Sequence, residues 1–354
     1  MSPAPTPSRS ALVVGAGVGG LTAAVALAAR GWHVRLEDVR DTVDSRGAAL
    51  GLWPAAWRGL EDVHVTPGLG EAHPYRAATI RSVDGRVMGH LPLGRIEKRA
   101  GAPVRLVTRP ALMAELVSRA RAAGVDLALG TAFGGPDRIT GHDVVIGADG
   151  INSVVRGHVA GVVRPRSLGA EVWRGSCDGT VGHWGEIWGR GMFAGVTPAG
   201  TGRTNWYVPV ADSAPVSSFR DLQDRLAGWP AEIRDAVART DPPALLRHPL
   251  HDLPPLPAYS RGRLVLVGDA AHAMAPSLGQ GACQAVLDAL TLARLLDEDD
   301  VVPALVRYDR VQRPVGERLV RRSRRLLALQ LSPRWSPVRD LALRVTAPVS
   351  PRWA

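Results

Sequence analysis

A short apolar run, ALVV at residues 11–14, leads straight into GAGVGG and then into the alanine-rich LTAAVALAA. The next stretch, WHVRLED, alternates, with Val34 and Leu36 on one face, and ends in two acids. A strand, a glycine-rich turn, a helix and a second strand within forty residues form a βαβ unit, which requires a parallel sheet and a right-handed crossover. Gly15, Gly17 and Gly20 hold the G-x-G-x-x-G spacing. In that spacing the first glycine makes the tight turn. The second lets backbone approach a pyrophosphate, and the third lets helix and strand pack closely, with free helix N–H groups facing the phosphates. Asp38 falls at the distance from Gly15 at which an acid grips an adenosine ribose. Glu37 competes for that role, but alternation puts Asp38 on the face of Val34 and Leu36. The chain carries one such fingerprint, so one dinucleotide is expected to be resident, and any second must visit without a domain of its own.

With 354 residues the chain is long enough for one large domain or two intertwined ones. Its formal charge of +10 comes from 43 basic against 33 acidic residues, and Lys98 is the only lysine. The arginines are scattered except around Arg318 to Arg325, so the charge does not make the one-sided footprint of a nucleic-acid binder. Two cysteines far apart, Cys177 and Cys283, suit a reducing compartment without a disulfide framework. The leading MSPAPTPSRS has no apolar signal core and reads as a disordered lead, and no apolar run is long enough to span a bilayer. The expectation is a cytoplasmic protein, monomer or homodimer, without a membrane or nucleic-acid partner.

Further along, Thr108-Arg109-Pro110 opens a helix ending at Gly124, a short strand follows at residues 125–129, and HDVVIGADG at 142–150 is an apolar strand ending in Ala-Asp-Gly. Between about residues 164 and 209 the chain turns rich in tryptophan, glycine and valine, which suits an antiparallel sheet. Helical patterns return at 218–226 and 231–239. HPLHDLPPLPAYSRG then reads as a proline-rich connector. It leads to the buried strand LVLVG, a helix at 281–296 and arginine-rich C-terminal helices. The fold expected is α/β with an α+β insertion: a Rossmann-type domain (11–75, 101–162 and 259–300) interrupted by an antiparallel-sheet substrate domain (76–100 and 163–258), with a helical region at 301–354.

The trio of GAGVGG, GADGINSVVR at residues 147–156 and LVGDAAHAMAPSLGQGACQA at 266–285 resembles, in order and spacing, the single-component FAD-dependent aromatic hydroxylases of the para-hydroxybenzoate hydroxylase-like group. The resemblance runs from about residue 11 to 325. WRG at 173–175 and EIWGRG at 186–191 resemble the branch with salicylate-hydroxylase-like and zeaxanthin-epoxidase-like enzymes.

The resemblance implies that Asp149 and Gly150 lie near the FAD pyrophosphate and the transient path of NADH or NADPH. It also implies that Gly268-Asp269 meets the ribityl chain and that Arg109 lies against the ribityl or phosphate region. Two plainer readings stand beside these: a strand-end Asp149 can cap a helix, and Arg109 can be a solvated helix start. Pro276 is expected over the reactive edge of the flavin. Gly279, Gln280 and Gly281 would bring helix N–H groups to its pyrimidine end. RGAALGLWPAA at 46–56 departs from the family pattern, with Ala49 for glycine and Ala55 for asparagine. The family's arginine upstream is displaced, leaving Arg46 as the candidate flavin contact.

The implied function is an NAD(P)H-dependent FAD monooxygenase. It would insert one oxygen from O2 into an aromatic or polycyclic small molecule through a flavin C4a-hydroperoxide, in secondary metabolism or aromatic catabolism. The cofactor carries the hard chemistry, which explains a site without a nucleophile-base pair or metal cluster. Trp173, Trp184, Trp188 and Trp206 are candidates to roof the substrate pocket, and His183, Glu186, Tyr207 and His272 are candidates to activate a phenol, His272 being favoured for a structural role. The alternatives are an FAD reductase or oxidase of the same fold without oxygen insertion, and a non-catalytic FAD-binding module.

Overall fold

The computed structural model describes residues 9–43, 47, 49–66, 69–70, 72–135, 138, 140–240 and 245–346. The chain opens with β1 (Ser10–Val14), α1 (Val18–Ala28) and β2 (His33–Asp38). It then runs through β3 (Ala49–Leu52), α2 (Pro54–Asp62), β4 (His73–Tyr75), β5 (Thr79–Ser82), β6 (Val87–His90), α3 (Leu93–Ala100) and β7 (Val104–Thr108). Next come α4 (Arg109–Ala122), β8 (Asp126–Leu129), β9 (Val144–Gly147) and α5 (Val155–Ala160). The insertion comprises β10 (Arg166–Asp178), β11 (Gly185–Trp188), β12 (Phe193–Pro198), β13 (Arg203–Ala211), α6 (Phe219–Leu226), α7 (Ala231–Ala238) and β14 (Leu246–Asp252). The chain returns through β15 (Ser260–Arg261), β16 (Leu264–Leu266) and α8 (Asp269–His272), then a 3-10 turn at Pro276–Leu278. It closes with α9 (Gly281–Glu298), α10 (Val301–Leu331) and α11 (Ser336–Thr346).

A six-stranded sheet in the order β15-β16-β9-β1-β2-β8 is parallel apart from its β15 edge. Residues 18–27 of α1 are all buried, and α1 packs against both α4 and α9. A side-chain carbon on Gly19 would lie 3.3 Å from the Ala285 methyl, so small residues on both sides let α1 and α9 touch. This is the βαβ unit of the sequence extended by two returning segments, β9 and β16.

A seven-stranded sheet has the order β14-β10-β13-β12-β11-β5-β6, and a small third sheet the order β3-β7-β4. Trp173, Cys177, Val196, Trp206 and Val208 turn to one face of the larger sheet and pack with Leu222, Leu226, Ile233 and Val237 of α6 and α7. Val172, Trp188 and Phe193 turn to the other face, where they meet Leu327 and Leu331 of α10. Period-2 alternation alone divides the strands this way.

One expectation changes. HPLHD is not connector but most of β14, an edge strand pairing with β10; the edge tolerates Pro249, which has no N–H to give to a ladder. The arginine-rich C-terminal segment is one 31-residue helix that passes through Pro314. Its buried stripe of Tyr308, Gln312, Gly316, Val320, Ser323 and Leu327 fits it against the body of the protein. Among the described residues no helix is long and apolar enough to cross a membrane.

Candidate active site

One cavity of about 1140 Å³ runs from the glycine turn after β1 to the Phe193 face of the seven-stranded sheet. At its first end Gly15 has a φ of +109°, and a side-chain carbon there would collide with the carbonyl of Ala148. Gly20 could carry no side chain without striking the carbonyl of Gly15, whereas Gly17 faces open space. Gly17 is the N-cap of α1 and lacks a side-chain cap, so the first N–H groups of the helix look into the cavity. Asp38 accepts the Ala16 N–H at 2.7 Å and the Arg40 N–H at 2.9 Å, which braces the turn. Burial pushes its carboxyl up, but Arg40 and the Ala16 N–H outweigh this and hold it below the usual aspartate value. Glu37, by contrast, is fully buried and paired with Arg35 and Arg138.

Asp149 lines the cavity, but its carboxylate serves α5. It accepts the Ser153 hydroxyl at 2.5 Å and the N–H groups of Val154 and Val155 at 2.7 and 3.2 Å. These bonds brace the start of α5, and Gly150 beside it, at φ +77°, offers bare backbone to the cavity. Arg109 starts α4 and also lines the cavity. Arg46 lies outside the described residues.

The second helix terminus is built alike. Gly268, at φ +60°, turns β16 into α8 and presents Asp269 to the cavity. Burial raises the Asp269 pKa, against the opposing pull of His272 and Arg109. Behind this turn lies a buried cluster. Asp288 of α9 accepts the Gly268 N–H at 2.9 Å, His272 Nε2 lies 2.5 Å from the same oxygen, and Gln284 donates to the other at 2.8 Å. Burial lowers the His272 pKa, Asp288 raises it by more, and the net is a histidine above its ordinary value. His272 therefore shapes the turn, and Asp288 is the residue the sequence reading missed. Its signal was present: one acid in the apolar AVLDALTLARLL. Pro276, Gly279, Gln280 and Gly281 line the cavity at the start of α9, whose N-cap Gln280 makes no side-chain cap.

Across the cavity stand Arg174, Glu186, Phe193, Thr197, Asn205 and Tyr207 of the seven-stranded sheet. Glu186 accepts the Tyr207 hydroxyl at 3.0 Å, the Trp188 indole N–H at 2.7 Å and the Gln330 amide of α10 at 3.2 Å. Its pKa is raised by burial despite these three donors. Arg174 Nε is buried without an acceptor, and burial lowers its pKa, as does Arg109, while Tyr207 opposes.

Four aromatic or histidine candidates are relocated. Trp173 and Trp206 point to the α6–α7 face; Trp173 stacks on Phe219, and the indole of Trp206 donates to Thr240 at 2.6 Å. His183 is exposed beside Glu232, and Trp184 packs with the sheet core. Trp188 is on the cavity side but reaches it through Glu186. Alternation from Trp173 would have picked out Arg174 instead.

The residues fit an extended dinucleotide. Two uncapped helix N-termini, backbone turns that exclude side chains, and an acid facing the cavity supply what a diphosphate and a polyhydroxyl chain need. Comparison with known proteins agrees. Residues 198–323 match the FAD binding domain family model. The chain is 32% identical to the aurachin C monooxygenase/isomerase of Stigmatella aurantiaca over 85% of its own length and 84% of that protein's. It is 34% identical to the 3-amino-4-hydroxybenzoate 2-monooxygenase of Streptomyces cremeus, over 89% and 86%. The chain belongs to the FAD-dependent aromatic monooxygenases. Its fold superimposes on that of Klebsiella pneumoniae HpxO complexed with FAD and uric acid, with a TM-score of 0.86, 25% identity, and coverage of 96% of this chain and 93% of that one. As a flavin-dependent monooxygenase it uses FAD, dioxygen and a reduced nicotinamide.

Proposed function

We propose that this monooxygenase draws on NADH or NADPH and inserts one oxygen atom into an aromatic or polycyclic small molecule, by hydroxylation or epoxidation. The observation that carries the reading is the continuity of the cavity: a dinucleotide seat and a polar, aromatic-sized pocket share one volume. Bound there, FAD supplies hydride acceptance and the activation of dioxygen, which no side chain can provide.

In this reading Gly15, Gly17 and Gly20 leave the α1 N-terminus open to the pyrophosphate, and Asp38 at the end of β2 takes the adenosine ribose. Gly150 lets backbone approach, Arg109 adds positive charge beside the diphosphate or ribityl chain, and Asp269 takes the ribityl hydroxyls. Pro276 and the glycines at 279 and 281 set the edge of the ring system, with the α9 N-terminus favouring negative charge beside it. Arg174, Tyr207 and Asn205 orient the substrate, and Phe193 with Leu326 of α10 supplies apolar wall.

The test uses the purified holoenzyme and a panel of aromatics headed by uric acid and 3-amino-4-hydroxybenzoate. The right substrate accelerates NAD(P)H oxidation and leaves as a product heavier by one oxygen drawn from isotopic dioxygen. A turned-over product without label points instead to a reductase or oxidase.

A further inference from the structure

The cavity face of the seven-stranded sheet carries one row: Arg174 of β10, Tyr207 of β13, Gly195 of β12 and Glu186 of β11, paired in register. Beside this row the cavity changes character. Tyr75, Ala78, Leu93, Val104 and Leu106 form a separate buried hydrophobic cluster between the β3-β7-β4 sheet and α3. Four of these five, all but Ala78, line the cavity, as do Trp53, Leu91 and Ile96 packed against them. The cluster is therefore an apolar arm of the cavity rather than a closed core.

Local structure explains the arm. Strand alternation puts Val104 and Leu106 on one face of β7 and sends Arg105 to the other, over the Trp57 ring. Leu93 and Ile96 lie three apart on α3 and share its inner side, with Arg95, Lys98 and Arg99 exposed. Gly51 of β3 stands opposite Leu106. A side-chain carbon there would meet Val104 and Leu106 at 3.8 Å, an ordinary contact, and its φ lies outside the left-handed region. The backbone does not call for glycine at this position. What the glycine provides is width between β3 and β7.

The arm joins the substrate face and not the dinucleotide seat. Leu91 packs both with this cluster and with that of Phe193, Trp188 and Tyr207. Burial and the neighbouring Glu186 raise the Tyr75 pKa, so the ionisable member of the arm stays a neutral phenol at the junction. Among the described residues, the glycine turns after β1, β9 and β16 contribute nothing to the cluster. A charged or hydroxylated group entering the arm would lose water without gaining a partner, whereas an aliphatic one would cover apolar wall.

We infer that the substrate is an amphiphile: an aromatic head held against the Arg174–Glu186 row, with an aliphatic side chain of several carbons lodged in this arm. This rests on the monooxygenase reading and narrows its substrate class.

The probes are 4-n-alkylphenols from methyl to nonyl, titrated into the oxidised FAD-loaded protein, with binding read from the visible flavin spectrum. Affinity is expected to rise about fourfold per added methylene until the arm is full, then to level off. Gly51→Val narrows the arm from β3 and Ile96→Trp fills it from α3, and each should end the gain at a shorter chain. Retained FAD and a native circular dichroism spectrum show that each variant is folded. Affinity that ignores chain length, no binding at any length, or a wild-type series in both variants overturns the inference. So does loss of FAD from both variants with native circular dichroism, which would give the arm to the cofactor. Binding is read without reductant, so a series that behaves as expected but never gains oxygen once NAD(P)H is added fails the activity reading alone.

Discussion

The six-stranded and seven-stranded sheets treat their polar side chains in opposite ways. Around the first, three acids brace the protein's own backbone, Asp38 the Ala16 N–H, Asp149 the start of α5 and Asp288 the Gly268 N–H with His272, while Asp38 and Asp269 also line the cavity. These bonds fix backbone turns, and the turns leave bare N–H groups for the cofactor. On the second sheet, among the described residues, Arg174 has no acceptor for its buried N–H, Asn205 Oδ1 is buried without a donor, and Glu186 meets only neutral donors. A cofactor common to a whole family is held largely by backbone, which sequence change disturbs little. A substrate is told apart by side chains, and those stay unsatisfied until it arrives.

The contrast is broken most forcefully at Asp288. Asp288→Ala strips the acceptor from the buried His272 ring, Gly268 and Gln284, and should cost about 3–5 kcal/mol, read as a fall in melting temperature and loss of bound FAD. If FAD stays bound with unchanged affinity, the turn does not depend on this pair. The same pair predicts a pH dependence. The folded-state pKa of His272 lies above its unfolded value, so its stabilisation is complete below the ordinary histidine range. It is lost as pH rises through the elevated folded value. Asp288→Ala should flatten that part of a melting-temperature profile.

Gly15→Ala comes next. It places a side chain at positive φ against the Ala148 carbonyl, a strain of about 1–3 kcal/mol, and should abolish FAD retention while circular dichroism stays native. On the other sheet, Arg174→Gln should leave FAD content untouched and weaken substrate binding about 10- to 100-fold, as expected for a lost charge-assisted hydrogen bond of roughly 1.5–3 kcal/mol. A loss of FAD in Arg174→Gln would erase the distinction between the sheets. The smallest effect belongs to Trp173→Phe, which faces α6 and α7. It should cost about 1 kcal/mol in unfolding and leave the KM for substrate unchanged.

How far the site could be read in advance follows the same division. GAGVGG, GADG and GDAAHAM are local: the residues that make each turn are neighbours in the chain, so spacing reveals them. Arg174, Tyr207, Gly195 and Glu186 come from four strands joined by turns of unpredictable length. No single segment shows that they share a row, and the tryptophans drew attention to the wrong face. Gln330 was further hidden, in a C-terminal helix whose return to the site depends on packing along 31 residues.

The sequence by itself determined the βαβ unit, the glycine turns and the dinucleotide seat, because helix and strand periods and positive-φ positions are written in neighbouring residues. Tertiary structure alone decided which acids brace the turns, where β14 and α10 return, and how Arg174 and Glu186 come to face one cavity. Register between strands and the docking of distant helices set those distances, and neither is encoded in any one stretch of chain.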